Sequence, residues 1–160
     1  MIVRVGNGFD IHRFEDVATA GRVLVIGGQK FPGERTLVGH SDADVVAHAV
    51  ADALLGAAGL GDIGQHFPDT DARWKNADSI EILRAVAGMV VGAGWSIGNV
   101  DCSVVCEAPK IAPKRDAMQD LLSSVVSAPV TVKGRRAEGL GALGRAEGIA
   151  CFASAVVTRD

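Results

Sequence analysis

The sequence predicts an α+β fold in which helices pack on one face of a single-layer mixed sheet. Two observations support this class. Long apolar runs are typical of strands, and other segments repeat apolar residues at three and four positions, as amphipathic helices do. Because long strands are mixed with such helices, and no repeat or low-complexity linker separates them, we expect residues 1–160 to form a single domain.

The predicted strands are apolar runs bounded by turn-forming residues. Two of them are short and flank the turn Gly27-Gly28, which predicts a small hairpin. The strands are predicted at residues 2–9, 23–26, 29–31, 95–107, 128–134 and 148–157.

The first predicted helix covers residues 42–59. Ser41 or Asp42 can cap its start, because a short polar side chain accepts hydrogen bonds from the free N–H groups there. Glycines Gly56 and Gly59 mark its end.

Two further helices carry comparable signals. The helix at residues 78–94 begins with Asp78 and Glu81, three positions apart, which is the spacing of a capping box. The helix at residues 113–126 has Pro113 in its first turn, where the missing N–H of proline is tolerated.

Composition excludes several classes of function. A net charge of −3 gives no basic surface for nucleic acid. The N-terminus lacks the basic and apolar regions of a signal peptide, and the apolar runs are too short to span a bilayer. The three cysteines have no zinc-ribbon spacing and are predicted to be buried thiols of a reducing compartment.

Histidines beside aspartates raise the hypothesis of a metal site. Asp10 and His12 are two apart in a strand-like run, so their side chains point to the same face. With His48 they would provide three ligands and leave the fourth position of a catalytic zinc open. On the first helix, Asp44 and Asp52 are each one turn from His48 and resemble an outer shell that orients its ring. From spacing alone, surface charges or a satisfied core histidine remain alternatives.

Two neighbouring stretches suggest an anionic, hydroxylated ligand. His40 and Ser41 directly precede the first helix, where free N–H groups favour an anion. In the turn-rich loop 59–71, the acids Asp62, Asp69 and Asp71 could hold sugar hydroxyls, although aspartate is also common in ordinary turns.

The stretch "GLGALG" at residues 139–144 matches a dinucleotide-binding pattern. Such a site needs a preceding strand, a following helix and an acid about twenty residues later. The sequence that follows instead reads as a strand, so we expect a glycine-rich turn between two strands.

Four stretches, in this order, resemble the 2-C-methyl-D-erythritol 2,4-cyclodiphosphate synthase family of the non-mevalonate isoprenoid pathway. They are "GFDIHRF" (8–14), "GHSDADVVAHAVADALLGAAGLGDIGQHFPDTD" (39–71), "NVDCSVVCEAPKIAP" (99–113) and "GLGALGRAEGIAC" (139–151). The resemblance runs from end to end and implies a phosphorus–oxygen lyase that forms a cyclic diphosphate and releases CMP. It also implies a homotrimer, with the sheets around the threefold axis and active sites between subunits.

The resemblance assigns roles to individual positions. It implies Zn²⁺ ligands at Asp10, His12 and His48, and a second divalent ion, Mg²⁺ or Mn²⁺, held by Glu138. It places His40 at the reacting phosphate as a catalytic group. It also implies substrate-binding positions, with Ser41 near the phosphate and Arg145 near the trimer axis. The positions implied at the methylerythritol are Asp62, Gly64, Phe67, Pro68, Asp69, Thr70 and Asp71. The positions implied around the cytosine are Cys106, Glu107, Ala108, Pro109, Lys110, Ile111 and Ala112.

The segment "KGRRAEG" at residues 133–139 departs from the family. By the register of Glu138, Arg136 occupies the position of a threonine that contacts the phosphates and supports catalysis. Arginine binds phosphate but is larger and accepts no hydrogen bond. It could replace the hydroxyl, crowd the site or point away.

Three hypotheses follow from these observations. The leading one is an active synthase in the cytoplasm of a bacterial-type cell, or in a plastid if the precursor carried a transit peptide. The second is a catalytically weak protein that keeps zinc and cytidine nucleotide, and the third is an unrelated structural α+β trimer.

Overall fold

The fold is built around a central mixed sheet, and the helices cover one face of this sheet. The computed structural model describes residues 1–17 and 19–160. The strands are β1 (Ile2–Arg13), β2 (Leu24–Ile26), β3 (Gln29–Phe31), β4 (Ser96–Val105), β5 (Val130–Arg135) and β6 (Gly148–Arg159). The helices are α1 (Val45–Ala58), α2 (Ile63–His66), α3 (Ser79–Gly92), α4 (Arg115–Val126) and α5 (Gly141–Gly144), with single 3₁₀ turns at Ala72–Trp74 and Ala112–Lys114.

The sheet order is β1-β6-β4-β5. Strand β6 lies antiparallel to both β1 and β4, whereas β4 and β5 run parallel, which makes the sheet mixed as predicted. Strands β1 and β6 pair over their full length, from Ile2 opposite Arg159 to Arg13 opposite Gly148. The short strands β2 and β3 form a separate hairpin around Gly27-Gly28.

Helix α1 packs directly on β1 because two glycines remove the side chains between them. A Cβ atom at Gly6 would lie 2.0 Å from the carbonyl oxygen of Ala53, and one at Gly8 would lie 1.9 Å from that of Ala49. Both alanines are fully buried. Any larger side chain would push the helix away from the strand, and with it every group that α1 carries.

The opposite face of the sheet is open and, along β1 and β6, largely apolar. Large side chains on β1 and β6 are about half exposed there. They are Val3, Val5, Phe9, Ile11 and Phe152. None of the helices in the described part of the chain combines the length and apolar character needed to cross a bilayer.

Most predicted elements are confirmed, with differences at their ends. Strand β1 continues to Arg13, and the predicted loop 59–71 contains the short helix α2. Pro113 lies in a 3₁₀ turn before α4 rather than in the helix itself. The "GLGALG" stretch contains the four-residue helix α5 and leads directly into β6, as a connection between strands. All three cysteines are free and buried, as predicted.

The predicted cap of α1 was wrong, because Asp44 holds that position. Its Oδ1 accepts hydrogen bonds from the N–H groups of Val46 (3.0 Å) and Ala47 (3.2 Å). The same carboxylate accepts from Gly27 (2.8 Å) and Gly28 (2.6 Å), which fixes the β2–β3 turn against the start of α1. Burial raises the pKa of Asp44, and the two glycine amides oppose that rise.

We predict that Asp44→Ala lowers the free energy of unfolding by about 3 kcal/mol, because each buried N–H left unpaired costs about 1–3 kcal/mol. Asp78→Ala is a matched control, since Asp78 caps α3 through one N–H, and should cost about 1 kcal/mol. Urea denaturation at one protein concentration, with a chelator present, measures both. Equal midpoints for the two variants would contradict the prediction.

Candidate metal centre and substrate cavities

Three side chains from two elements converge on one point. Asp10 and His12 project from the same face of β1, and His48 projects from α1. Asp10 Oδ2 lies 3.1 Å from His12 Nε2 and 3.0 Å from His48 Nδ1. One ligand atom from each residue falls within 4.8 Å of the others, so the three form a candidate metal site among the described residues.

The free nitrogen of each histidine is held by a partner outside the triad. The ring of His12 donates from Nδ1 to the carbonyl oxygen of Val38 at 2.6 Å, which leaves Nε2 facing Asp10. The Nε2 atom of His48 lies 2.9 Å from Ser79 Oγ and 3.2 Å from Ser41 Oγ. Both imidazoles are therefore oriented with one nitrogen toward the common point.

The predicted outer shell of His48 was wrong, because Asp44 and Asp52 have other roles. Asp44 caps the helix, and Asp52 accepts a hydrogen bond from the backbone N–H of Ile63 at 2.8 Å, which ties α2 to α1. The i, i+4, i+8 spacing places all three residues on one helix face, but the hydroxyls reach His48 from other segments.

The electrostatics of the triad favour a cation. Burial alone would raise the pKa of Asp10, but the hydrogen bonds from His12 and His48 outweigh it and hold that pKa well below its usual range. Burial likewise acts to lower the pKa of His12, but its hydrogen bond with Asp10 raises it above the ordinary value. One carboxylate oxygen and two oriented imidazole nitrogens form the donor set that zinc favours, so these residues fit such an ion.

A cavity of about 480 Å³ opens at the triad. Its lining joins the triad to the region before α1 and to the α2 loop: Gly39, His40, Ser41, Ile63, Gly64, Phe67, Pro68, Asp69, Trp74 and Ile82. His40 Nε2 lies 3.1 Å from the carbonyl oxygen of Asp71. Ser41 is buried, with its hydroxyl directed at His48.

Two predicted substrate acids act as caps in this structure. Asp62 accepts from the backbone N–H of Gln65 at 3.0 Å and caps α2. Asp71 caps the Ala72–Trp74 turn and pairs with Arg73 at 2.6 Å. Asp69 lines the cavity, and Thr70 lies beside it on the same loop.

A second cavity of about 330 Å³ is lined by most of the predicted cytosine segment. It is lined by Cys106, Glu107, Pro109, Lys110, Ile111, Ala112, Arg115, Gly134, Arg135 and Arg136. Glu107 accepts from the N–H of Ala137 at 2.9 Å and pairs with Arg136 Nε at 3.3 Å. The Arg136 side chain is 71% exposed, so it lies over the cavity without filling it.

The two cavities are separate within one chain: among the described residues that line them, none is shared. Glu138 and Arg145 are exposed on the segment after β5, and Arg145 pairs with Glu147 at 2.7 Å. The structure thus brings the triad and His40 together with the loop predicted to bind methylerythritol, and places the predicted cytosine segment and Arg136 at a different cavity.

Two side chains at the triad cavity were not predicted from the sequence. Ser79 contacts His48, and only the fold brings the start of α3 to α1. Trp74 packs edge-on against Phe67 with ring centroids 4.9 Å apart. Within residues 1–17 and 19–160 its indole N–H is a buried donor with no acceptor, and such a donor can bond an oxygen of a molecule bound in the cavity.

Comparisons with known proteins agree on one family. The YgbB family profile matches residues 3–158. A protein from Rubrobacter xylanophilus named 2-C-methyl-D-erythritol 2,4-cyclodiphosphate synthase is 54% identical over 159 residues, covering 98% of this chain and 95% of its own. A protein of the same name from Burkholderia thailandensis is 50% identical over 163 residues, covering 100% and 98%.

Solved structures show the same fold. The CDP complex of IspF from Plasmodium falciparum superposes with a TM-score of 0.84 at 32% identity, covering 99% of this chain and 97% of that one. The bifunctional IspDF of Campylobacter jejuni gives a TM-score of 0.92 at 38% identity. This chain spans 43% of that longer protein.

We predict that the purified chain binds one zinc ion per subunit, and that His12→Ala and His48→Ala each abolish this binding, because each removes a converging nitrogen. His66→Ala is the control, since His66 is bonded to the carbonyl oxygen of Leu60 outside the triad. Metal analysis after dialysis against zinc measures the stoichiometry. Full zinc content in either triad variant would contradict the assignment.

Proposed function

The chain belongs to the YgbB family, and from this premise we propose that it is an active 2-C-methyl-D-erythritol 2,4-cyclodiphosphate synthase. It would convert 4-diphosphocytidyl-2-C-methyl-D-erythritol 2-phosphate to the cyclic diphosphate in the non-mevalonate isoprenoid pathway. The observation that carries the proposal is the convergence of Asp10, His12 and His48 at the wall of a substrate-sized cavity.

The reaction is an intramolecular phosphoryl transfer. An oxygen of the 2-phosphate forms a bond to the β-phosphorus, and the bond from that phosphorus to the CMP oxygen breaks, so CMP leaves. The protein contributes no nucleophile and instead folds the substrate back on itself. Positioning of this kind is worth about 7–11 kcal/mol of the barrier.

Asp10, His12 and His48 would hold Zn²⁺, and Glu138 would help to hold Mg²⁺ or Mn²⁺ at the diphosphate. Bound there, the ions supply Lewis-acid stabilisation of phosphate charge and a template for the reacting groups. Glu138 is exposed, so it is open to an ion or a substrate outside its own chain.

The remaining assigned residues bind and orient the substrate. His40 is the proposed catalytic group at the reacting phosphate, with Ser41 behind it. The loop Phe67–Asp71, with Asp62 and Gly64, would enclose the methylerythritol. The segment Cys106–Ala112 would surround the cytosine, largely through backbone groups.

We propose a homotrimer in which each active site lies between adjacent subunits, with the sheets around the threefold axis. The separation of the two cavities in one chain supports this, because one substrate must reach both the triad and the cytosine segment. The open apolar face of β1 and β6 offers the surface that such an assembly would bury. Arg145 would lie near the axis.

We expect the phosphorus NMR spectrum of the substrate with enzyme, zinc and Mg²⁺ to change to that of the cyclic diphosphate plus CMP. Unchanged substrate at high enzyme concentration would refute the active-synthase proposal and favour the second hypothesis, a binding protein without turnover. Arg136→Thr tests the cause of such a failure. If the wild type is active, we expect the variant to change kcat by less than tenfold, since the Arg136 side chain points toward Glu107.

We predict that two inactive variants complement each other. His48→Ala damages the triad half-site, and Lys110→Glu places a negative charge in the cytosine half-site, where it repels the diphosphate. In co-expressed trimers of random composition, about a quarter of the interfaces combine two intact halves, so about a quarter of wild-type activity should return. A mixture as inactive as its components would place both halves of the site in one chain.

A further inference from the structure

A chain of hydrogen bonds runs from the triad to a buried serine and an aspartate outside it. The Nε2 atom of His48 lies 2.9 Å from the hydroxyl of Ser79, which is fully buried. That hydroxyl donates to Asp42 Oδ1, and the backbone N–H of Ser79 donates to Asp42 Oδ2 at 3.2 Å. Asp42 lies just before α1, and Ser79 begins α3.

The direction of each bond follows from the chemistry of the groups. An ionised carboxylate only accepts, so the single proton of the Ser79 hydroxyl goes to Asp42. The oxygen of Ser79 is then left as an acceptor toward the Nε2–H of His48. Nδ1, the atom hydrogen-bonded to the Asp10 carboxylate at 3.0 Å, is therefore the nitrogen that ligates an ion once the proton between it and Asp10 is released.

The two triad histidines are oriented by different means. Val38 presents a carbonyl to His12, and a carbonyl can only accept, so the tautomer of that ring is fixed directly. A hydroxyl can donate or accept, so Ser79 alone would leave the tautomer of His48 undetermined. Asp42 removes that freedom by taking the hydroxyl proton.

We propose that Ser79, held by Asp42, is a positioning residue that fixes the Nε2–H tautomer and ring orientation of His48 and thereby sets the metal affinity of the triad. The Ser41 hydroxyl lies 3.2 Å from the same Nε2 and accepts from the N–H of Ala43, and Ser79 Oγ at 3.3 Å is an acceptor for the proton of the Ser41 hydroxyl. The inference rests on the proposed role of the triad as a metal site, and it does not require the cyclisation reaction.

Zinc affinity of the apo-protein, measured by competition with a chromophoric chelator, tests the inference. We expect Ser79→Ala to bind zinc about 10–100-fold more weakly, the usual effect of losing a partner that orients a metal-bound histidine. Asp42→Asn keeps the size of the side chain but adds a hydrogen-bond donor beside the Ser79 hydroxyl, and it should also weaken zinc binding. Nitrogen-15 shifts of the apo-protein imidazoles should show Nε2 of His48 protonated in the wild type, and Nε2 without its proton in part of the molecules of both variants.

Asp78→Ala is the control that distinguishes an effect on the orientation of His48 from an effect on folding. Asp78 caps the start of α3, next to Ser79, but its side chain accepts a hydrogen bond from the backbone N–H of Ile80 rather than from His48. We expect Asp78→Ala to lower the unfolding temperature and leave zinc affinity unchanged. Equal zinc affinity in wild type and folded Ser79→Ala would overturn the inference, as would an equal loss in Asp78→Ala. If Ser79→Ala does not fold, an unchanged affinity and tautomer in Asp42→Asn overturn it. A wild type that binds no zinc would instead refute the metal site itself.

Discussion

The close approach of α1 to β1 is the constraint on which the metal site depends. Gly6 and Gly8 leave no side chains between the strand and the helix, and the carbonyl oxygens of Ala49 and Ala53 occupy that space. Only at this spacing does His48 on the helix reach within 3.0 Å of the Asp10 carboxylate on the strand. The affinity of the site for a cation is therefore set in part by backbone packing several residues away from any ligand.

Three aspartates lie close together in this region, and each is compensated by a different kind of donor. Asp44 is satisfied by backbone amides, and Asp42 by the N–H and hydroxyl of Ser79. Among the residues that the structure describes, Asp10 is satisfied only by two imidazoles, whose nitrogens can release a proton and bind a metal. The amide and hydroxyl donors are permanent, so the first two acids have structural roles, while Asp10 can exchange its partners for an ion.

The elements could be predicted from local signals, namely apolar periodicity and caps, and the two-residue spacing placed Asp10 and His12 on one face. The assignment of His48 as their third partner rested on the resemblance to the family. The errors arose where one spacing of residues in the sequence is compatible with two different structural roles. An acid one turn before His48 has the same spacing as a helix cap, and tertiary contacts with Gly27 and Gly28 decided the role of Asp44. Ser79 could not be identified, because nothing local links the start of α3 to a histidine 31 residues earlier.

The arginine at position 136 is compatible with the proposed reaction on physical grounds. Phosphate oxygens only accept hydrogen bonds, so a donor is sufficient to contact them, and the guanidinium provides several. Its present partner is Glu107, and because the Arg136 side chain is 71% exposed, that pair contributes no more than about 1 kcal/mol. A phosphate can therefore displace Glu107 at small cost. Since Arg136 borders the cavity of the predicted cytosine segment and not the triad of its own chain, its effect should fall on substrate binding rather than on the bond-forming step.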